Sequence, residues 1–270
     1  MSFITRAQNQ LVWLSSSLLE NAEGVSHGFS TRKGGISPAP WDTLNLGPAR
    51  GDQIENVMEN YRRFGACVGA DPCRSVLAVQ VHEDTVRTVT AEDAGKGLYL
   101  ERDYTADALI TNLVNIPLVV FSADCGILLL HDPVTRCAGA VHAGWRGCAR
   151  GIVAKAVQEM HRVYGSKPEN ILAAVGPCIG QCCFETDSDV PQAMRASALG
   201  TAADPYLELR GTKWHVDLAG LNRRWLLQAG VLPEHIDVCG LCTVCHPELF
   251  WSYRRDGNAR GAQVALISLH

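Results

Sequence analysis

No apolar run in this sequence of 270 residues approaches the roughly 18 needed to span a bilayer, so no membrane partner is expected. Leu118–Phe121 and Ile127–Leu130 come nearest, and Ser122, Asp124 and Cys125 interrupt them. A basic surplus is missing as well: 24 Lys and Arg stand against 28 Asp and Glu, for a net charge of −4 and a pI of about 6.1. Nothing in that balance neutralises a phosphate backbone, so no nucleic-acid partner is expected. Internal repeats, low-complexity segments and a Pro/Ser-rich linker are all absent, which favours one domain over residues 1–270. Met1 to Leu19 has no charged start followed by a clean apolar stretch, so no signal peptide is expected and a cytoplasmic location follows.

What is present reads as an ordinary globular chain, 47% hydrophobic and 19% charged. Its 11 cysteines are an odd number, and in a reducing compartment most are expected to be small buried hydrophobes, with metal ligands and reactive thiols the minority. Short apolar runs predict strands at 25–29, 108–111, 117–122, 127–131, 137–141, 171–175, 236–238, 250–253 and 264–268, with two more on either side of residues 82–84. Asp132-Pro133 is a turn signal that joins two of these as a hairpin. Helical spacing predicts a helix capped at Asp52 and others over 149–164, 189–197 and 218–229. Strands outnumber helices, strict strand–helix alternation is missing, and so is GxGxxG. The expected fold is therefore α+β, with mixed or antiparallel sheets flanked by helices in a layered sandwich.

Three segments carry chemistry: Gln80-Val81-His82, Ser122-Ala123-Asp124-Cys125 and Val141-His142-Ala143-Gly144. In each, a metal-capable side chain follows an apolar strand, where a rigid scaffold presents groups to a pocket. The positions 82, 125 and 142 are too far apart for a finger-type site and suit ligands from separate strands. Two imidazoles and one thiolate suit zinc, and three protein ligands leave a fourth position open, the mark of a catalytic site. Asp124, beside Cys125, could orient a ligand or relay a proton.

The stretches HGFSTRKGGIS, QVHEDTV, SADCGILLLHD, VHAGWRGCARG, GPCIGQCCFE and LFWSYRRDG resemble the laccase-domain proteins. That family is also called the multicopper polyphenol oxidases or the purine nucleoside phosphorylases. The likeness runs from about His27 to Gly261 and implies a mixed α/β fold with His82, Cys125 and His142 as metal ligands. It also implies phosphorolysis of adenosine, inosine, guanosine and methylthioadenosine, and deamination of adenosine, with a nucleoside and phosphate as small-molecule partners. Some bacterial members are linked to editing of peptidoglycan precursors, which would be an amidase-like activity at the same site.

The copper label can be weighed against the residues. A laccase needs a trinuclear cluster rich in His-x-His pairs, yet no two of the nine histidines (27, 82, 131, 142, 161, 215, 235, 246, 270) are one residue apart. Zinc is the expected cofactor, with a single copper in a phenol-oxidising protein as the alternative. Phosphate needs cationic donors, and Arg32, Arg146, Arg254 and Arg255 lie in the family-like segments. Glu185 and Asp124 are the candidate proton carriers, and Cys178 or Cys183 a candidate nucleophile near the pocket. Cys242-Thr243-Val244-Cys245-His246 matches a haem-attachment string, but haem attachment requires export, so haem is not expected. Cys239, Cys242 and Cys245 could hold a second metal or an iron–sulfur cluster, although buried reduced thiols are the favoured reading.

Overall fold

The computed structural model describes residues 3–270. Its first half contains β1 (Phe3–Gln8), β2 (Leu11–Ser16), α1 (Ser17–Glu20), β3 (Val25–Ser30), α2 (Ile54–Val68), β4 (Val76–Leu77), β5 (Val86–Thr88), β6 (Ala108–Thr111), β7 (Leu118–Ser122) and β8 (Gly126–Asp132). There follow β9 (Cys137–Ala143), α3 (Trp145–Ala149), α4 (Ile152–Tyr164), β10 (Leu172–Val175), β11 (Glu185–Thr186), α5 (Asp189–Ala196), β12 (Leu207–Arg210), β13 (Lys213–Val216), α6 (Leu218–Gln228), β14 (Ile236–Val238), α7 (Tyr253–Asp256) and β15 (Gln263–Leu269).

Two six-stranded sheets, β1-β2-β3-β15-β7-β4 and β14-β10-β8-β9-β6-β5, stack face to face, and β11-β13-β12 form a small third sheet. Alternation along the strands explains the stacking. Leu118, Val120, Ala265 and Ile267 of the first sheet meet Ile127, Leu129, Ala138 and Ala140 of the second in one buried cluster. The opposite face of the second sheet (Leu128, Leu130, Val141, Val175) receives Val153, Val157 and Met160 of α4 and Leu221, Trp225 and Leu226 of α6. The opposite face of the first (Leu11, Trp13, Val119, Val264, Leu266) receives Val57, Tyr61, Phe64 and Val68 of α2. The result is a helix–sheet–sheet–helix sandwich, the layered α+β architecture expected from the pattern of apolar runs.

Local departures have identifiable causes. The run at 250–253 is not a strand. Trp251 is fixed through its N–H to Gln263 Oε1, and the Ser252 hydroxyl accepts the N–H of Arg255, which turns the chain into α7. The helix expected over 149–164 is split between α3 and α4 by Gly151, whose φ of 74° suits glycine. The hairpin β1–β2 and the small third sheet lie where no strand was expected: β1, β11 and β12 are largely exposed and lack an apolar alternation, whereas β2 is mostly buried.

His27 in β3 links fold to pH. Its Nε2 accepts the N–H of Ser16, and burial lowers the imidazole to about 4. In the unfolded chain the ring titrates near 6.5, so protons bind there first as pH falls. Stability from this group is complete above about pH 6.5 and lost by about pH 4, amounting to about 3 kcal/mol at ~1.4 kcal/mol per pH unit. Urea unfolding between pH 7 and pH 4.5 should therefore be steeper in pH for wild type than for His27→Gln, which keeps an acceptor but cannot titrate. Equal slopes would remove His27 from the account.

Candidate active site

The hairpin register brings the first two donors together. β8 and β9 are antiparallel with Ile127 opposite His142 and Gly126 opposite Ala143. Cys125, one residue before β8, therefore lies beside the end of β9 that carries His142. The turn is locked by Asp132, whose Oδ1 accepts the N–H groups of Val134 and Thr135. Close approach continues past β9: a Cβ on Gly144 would lie 2.8 Å from Cys125 Sγ and 3.3 Å from the His82 ring, so only glycine fits.

The third donor arrives on a loop. His82 has φ 62°, an uncommon conformation for a residue with a Cβ, and Asp107 holds it there. Asp107 Oδ1 accepts the N–H of His82, and Oδ2 accepts those of Val81 and Glu83. The same Oδ1 lies 2.8 Å from His142 Nδ1, and the Asp107 carbonyl accepts the His142 N–H. One buried carboxylate thus fixes the loop and the ring together, leaving His142 Nε2 as its free donor. The His82 and His142 rings stand edge to face, centroids 4.9 Å apart.

Electrostatics suit a cation. Burial raises the Cys125 thiol, but the facing imidazoles, His142 foremost, outweigh it and hold the group at about 6. Burial lowers His142, but the Cys125 sulfur and the Asp107 carboxylate outweigh that and hold it at about 9. The donor atoms of His82, Cys125 and His142 all lie within 4.8 Å of one another. One thiolate and two imidazoles at this spacing, with a carboxylate fixing one ring, fit a single zinc or copper ion. Among the described residues the other histidines join no comparable cluster with these three, so the donors of a trinuclear copper centre are not assembled.

His82 and Cys125 open into a cavity of about 420 Å³. Trp145, Phe184 and Tyr253 give it aromatic walls, and Arg50, Arg254 and Arg260 give it positive charge. Arg260 is only 5% exposed, and its Nε and Nη1 have no partner. Burial lowers both Arg260 and Arg50 from their ordinary value. An unsatisfied buried guanidinium is expensive, and an anionic ligand would relieve it.

The other anticipated residues separate into two groups. Asp124 and Arg254 line the cavity. Asp124, at φ 97°, accepts from Thr243 Oγ1, Ser252 Oγ and the Arg254 N–H, so both its oxygens are engaged. Arg254 donates to the carbonyls of Cys183 and Glu185. Arg32, Arg146, Arg255, Glu185 and Cys178 do not line the cavity. Arg32 is tied to the carbonyls of Asp42 and Pro247 and lies over Trp251, and Arg146 lies over Trp145. Arg255 is spent on Asp256 and on the carbonyls of Thr243, Val244 and Phe250. The Glu185 side chain is turned to solvent near His215, and Cys178 is a buried thiol that burial raises well above its ordinary value. Asp107, Arg50 and Arg260 were missed. The available signal for Asp107 was an acid directly before the apolar strand Ala108–Thr111.

Comparisons with known proteins agree with this architecture. The family model described as "Multi-copper polyphenol oxidoreductase laccase" matches residues 26–270. The chain is 35% identical to purine nucleoside phosphorylase YlmD of Bacillus subtilis, covering 93% of this chain and 90% of that protein. It is 38% identical to a purine nucleoside phosphorylase of Deinococcus radiodurans, over 91% and 89%. The crystal structure of the Bacillus licheniformis hypothetical protein YfiH superposes with a TM-score of 0.91 at 32% identity, over 98% of this chain and 99% of that one. With the fold, the coverage and the identity in accord, this chain belongs to the multi-copper polyphenol oxidoreductase laccase family, among relatives named purine nucleoside phosphorylases.

Proposed function

We propose that this protein is a purine nucleoside phosphorylase that cleaves adenosine, inosine, guanosine and methylthioadenosine with phosphate, and that the same cavity deaminates adenosine. The observation that carries the reading is the buried Arg260 guanidinium, stacked over Tyr253 with its Nε and Nη1 lacking hydrogen-bond partners, in an aromatic-walled cavity beside a thiolate and two imidazoles. A purine base needs flat apolar faces, and phosphate needs fixed donors. The relatives' names supply the reaction class.

In phosphorolysis the bond between the anomeric carbon and the ring nitrogen breaks, a phosphate oxygen bonds to that carbon, and the electron pair leaves with the base. Arg260 and Arg50 bind the phosphate, with bidentate donors matched to its oxygens. Trp145, Phe184 and Tyr253 hold the base and exclude water from the leaving bond. Asp124 has three donors already and serves to position Arg254 rather than to carry a proton. A zinc ion held by His82, Cys125 and His142 would supply Lewis acidity at its open position. Asp107 fixes the ring of His142 for that role.

The reading is tested by inosine cleavage in purified protein with and without phosphate; product formed equally in both would overturn it. Arg260→Gln should raise the phosphate KM by roughly 10- to 100-fold, the loss of one charge-assisted pair, while its thermal midpoint stays level or rises because an unsatisfied buried charge is gone. An unchanged phosphate KM would remove Arg260 from the phosphate site. Asp107→Asn should weaken zinc affinity by about 10- to 100-fold, read by competition with a chromophoric chelator, and affinity equal to wild type would count against the trio as ligands.

A further inference from the structure

Away from the cavity's donor trio, four thiols from two distant segments converge. Cys182 and Cys183 follow the turn at Gly180, and Cys242 and Cys245 lie in the loop after β14, with the Sγ atoms of all four within 4.8 Å of one another. Cys245 Sγ is 3.5 Å from Cys183 Sγ and 3.6 Å from Cys182 Sγ. A disulfide needs about 2.05 Å, whereas the edge of a sulfur tetrahedron around zinc, with bonds near 2.3 Å, is about 3.8 Å. The contacts match the tetrahedron. Cys239, three residues before the loop's Cys-x-x-Cys, is not part of the cluster.

We propose that Cys182, Cys183, Cys242 and Cys245 form a second metal site, a closed four-thiolate centre for zinc that braces one wall of the cavity. The backbone already has the form of a metal knuckle. The Gly180 N–H donates to Cys242 Sγ at 3.2 Å, and the amides of Val244 and Cys245 also face that sulfur. Amide donors around a cysteine sulfur favour the thiolate, the state a metal requires. The two segments are joined independently of any metal, through a parallel backbone β-bridge pairing residues 178 and 242 and the Thr243 N–H to the Cys178 carbonyl. The backbone therefore holds the two segments together with the four Sγ atoms within 4.8 Å of one another. Zinc binding releases one proton from each thiol still protonated, with no change of oxidation state.

The position of the cluster gives it a purpose. Thr243, between the two loop cysteines, donates to Asp124 Oδ1. The Cys183 carbonyl accepts from Arg254, and the carbonyls of Thr243 and Val244 accept from Arg255. Phe184, next in sequence, lines the cavity. A metal joining these segments fixes Asp124, Arg254 and Phe184 relative to one another. With four protein ligands the centre has no open position, which makes its role structural.

The experiment compares zinc content by elemental analysis in wild type and in Cys182→Ser/Cys245→Ser, both purified with reductant and without chelator. Wild type should hold one more zinc per chain than the variant, whatever the His82–Cys125–His142 trio holds, so failure here is separate from failure of the nucleoside reading. In case the variant folds poorly, wild type alone is tested by alkylation and peptide mapping. Cys182 and Cys245, although exposed, should resist alkylation until a strong chelator is added. Equal zinc in the two folded proteins overturns the proposal. So does full alkylation without chelator, a native disulfide among the four cysteines, or iron or copper in place of zinc at these thiols.

Discussion

A single buried carboxylate organises the candidate active site. Asp107 accepts three consecutive backbone N–H groups, from Val81, His82 and Glu83, and bonds the ring of His142 with an oxygen it shares with His82. Each bond stabilises an anion inside a low-dielectric interior, where charge-assisted bonds count most. Without it, residue 82 would have no reason to stay at positive φ, and the imidazole of His142 no reason to present one nitrogen rather than the other. Asp107 stands immediately before β6, whose pairing places Ala108 opposite Val141. The sheet therefore delivers the carboxylate to the histidine by register alone.

The surrounding cavity pairs opposite electrostatic demands. On one side a thiolate is kept ionised by its imidazole neighbours. In the same cavity, burial disfavours the charge of Arg50 and Arg260, which the Cys125 sulfur partly supports. Aromatic walls and buried cations lining one cavity beside the thiolate suit the flat base and oxyanion of the proposed substrates. Such an arrangement costs stability in the free protein, which is the expected sign of binding function.

The sandwich was legible because its strands are buried on one or both faces, and burial leaves a periodic mark. Ile127–His131 and Cys137–Val141 are apolar runs separated by Asp132-Pro133, and the hairpin follows from those residues. The edges were not legible. Strand β1 alternates little and is mostly exposed, and β12 carries Glu208 and Arg210 in water, so their pairing leaves no apolar signature. Within the site, the metal-capable donors were visible as His82, Cys125 and His142, although His82 lies on the loop between β4 and β5 and not at a strand end. Arg32, Arg146 and Arg255 looked equivalent to Arg254 as strings of letters. Only Arg254 reaches the cavity, and Arg255, its neighbour, is consumed by carbonyls.

By itself the sequence determined the layered core and the chemical types available in three short segments, because side-chain period and turn chemistry act over a few residues. It also held no apolar run long enough for a membrane-crossing helix and no surplus of positive charge. Tertiary structure decided which of those groups meet. Asp107 joins His82 to His142, Arg260 of a late loop is buried beside Arg50 of an early one, and Cys182 and Cys183 find Cys242 and Cys245. Such meetings depend on sheet register and on loops held at positive φ. Those are settled by packing between distant segments and leave no trace in local order.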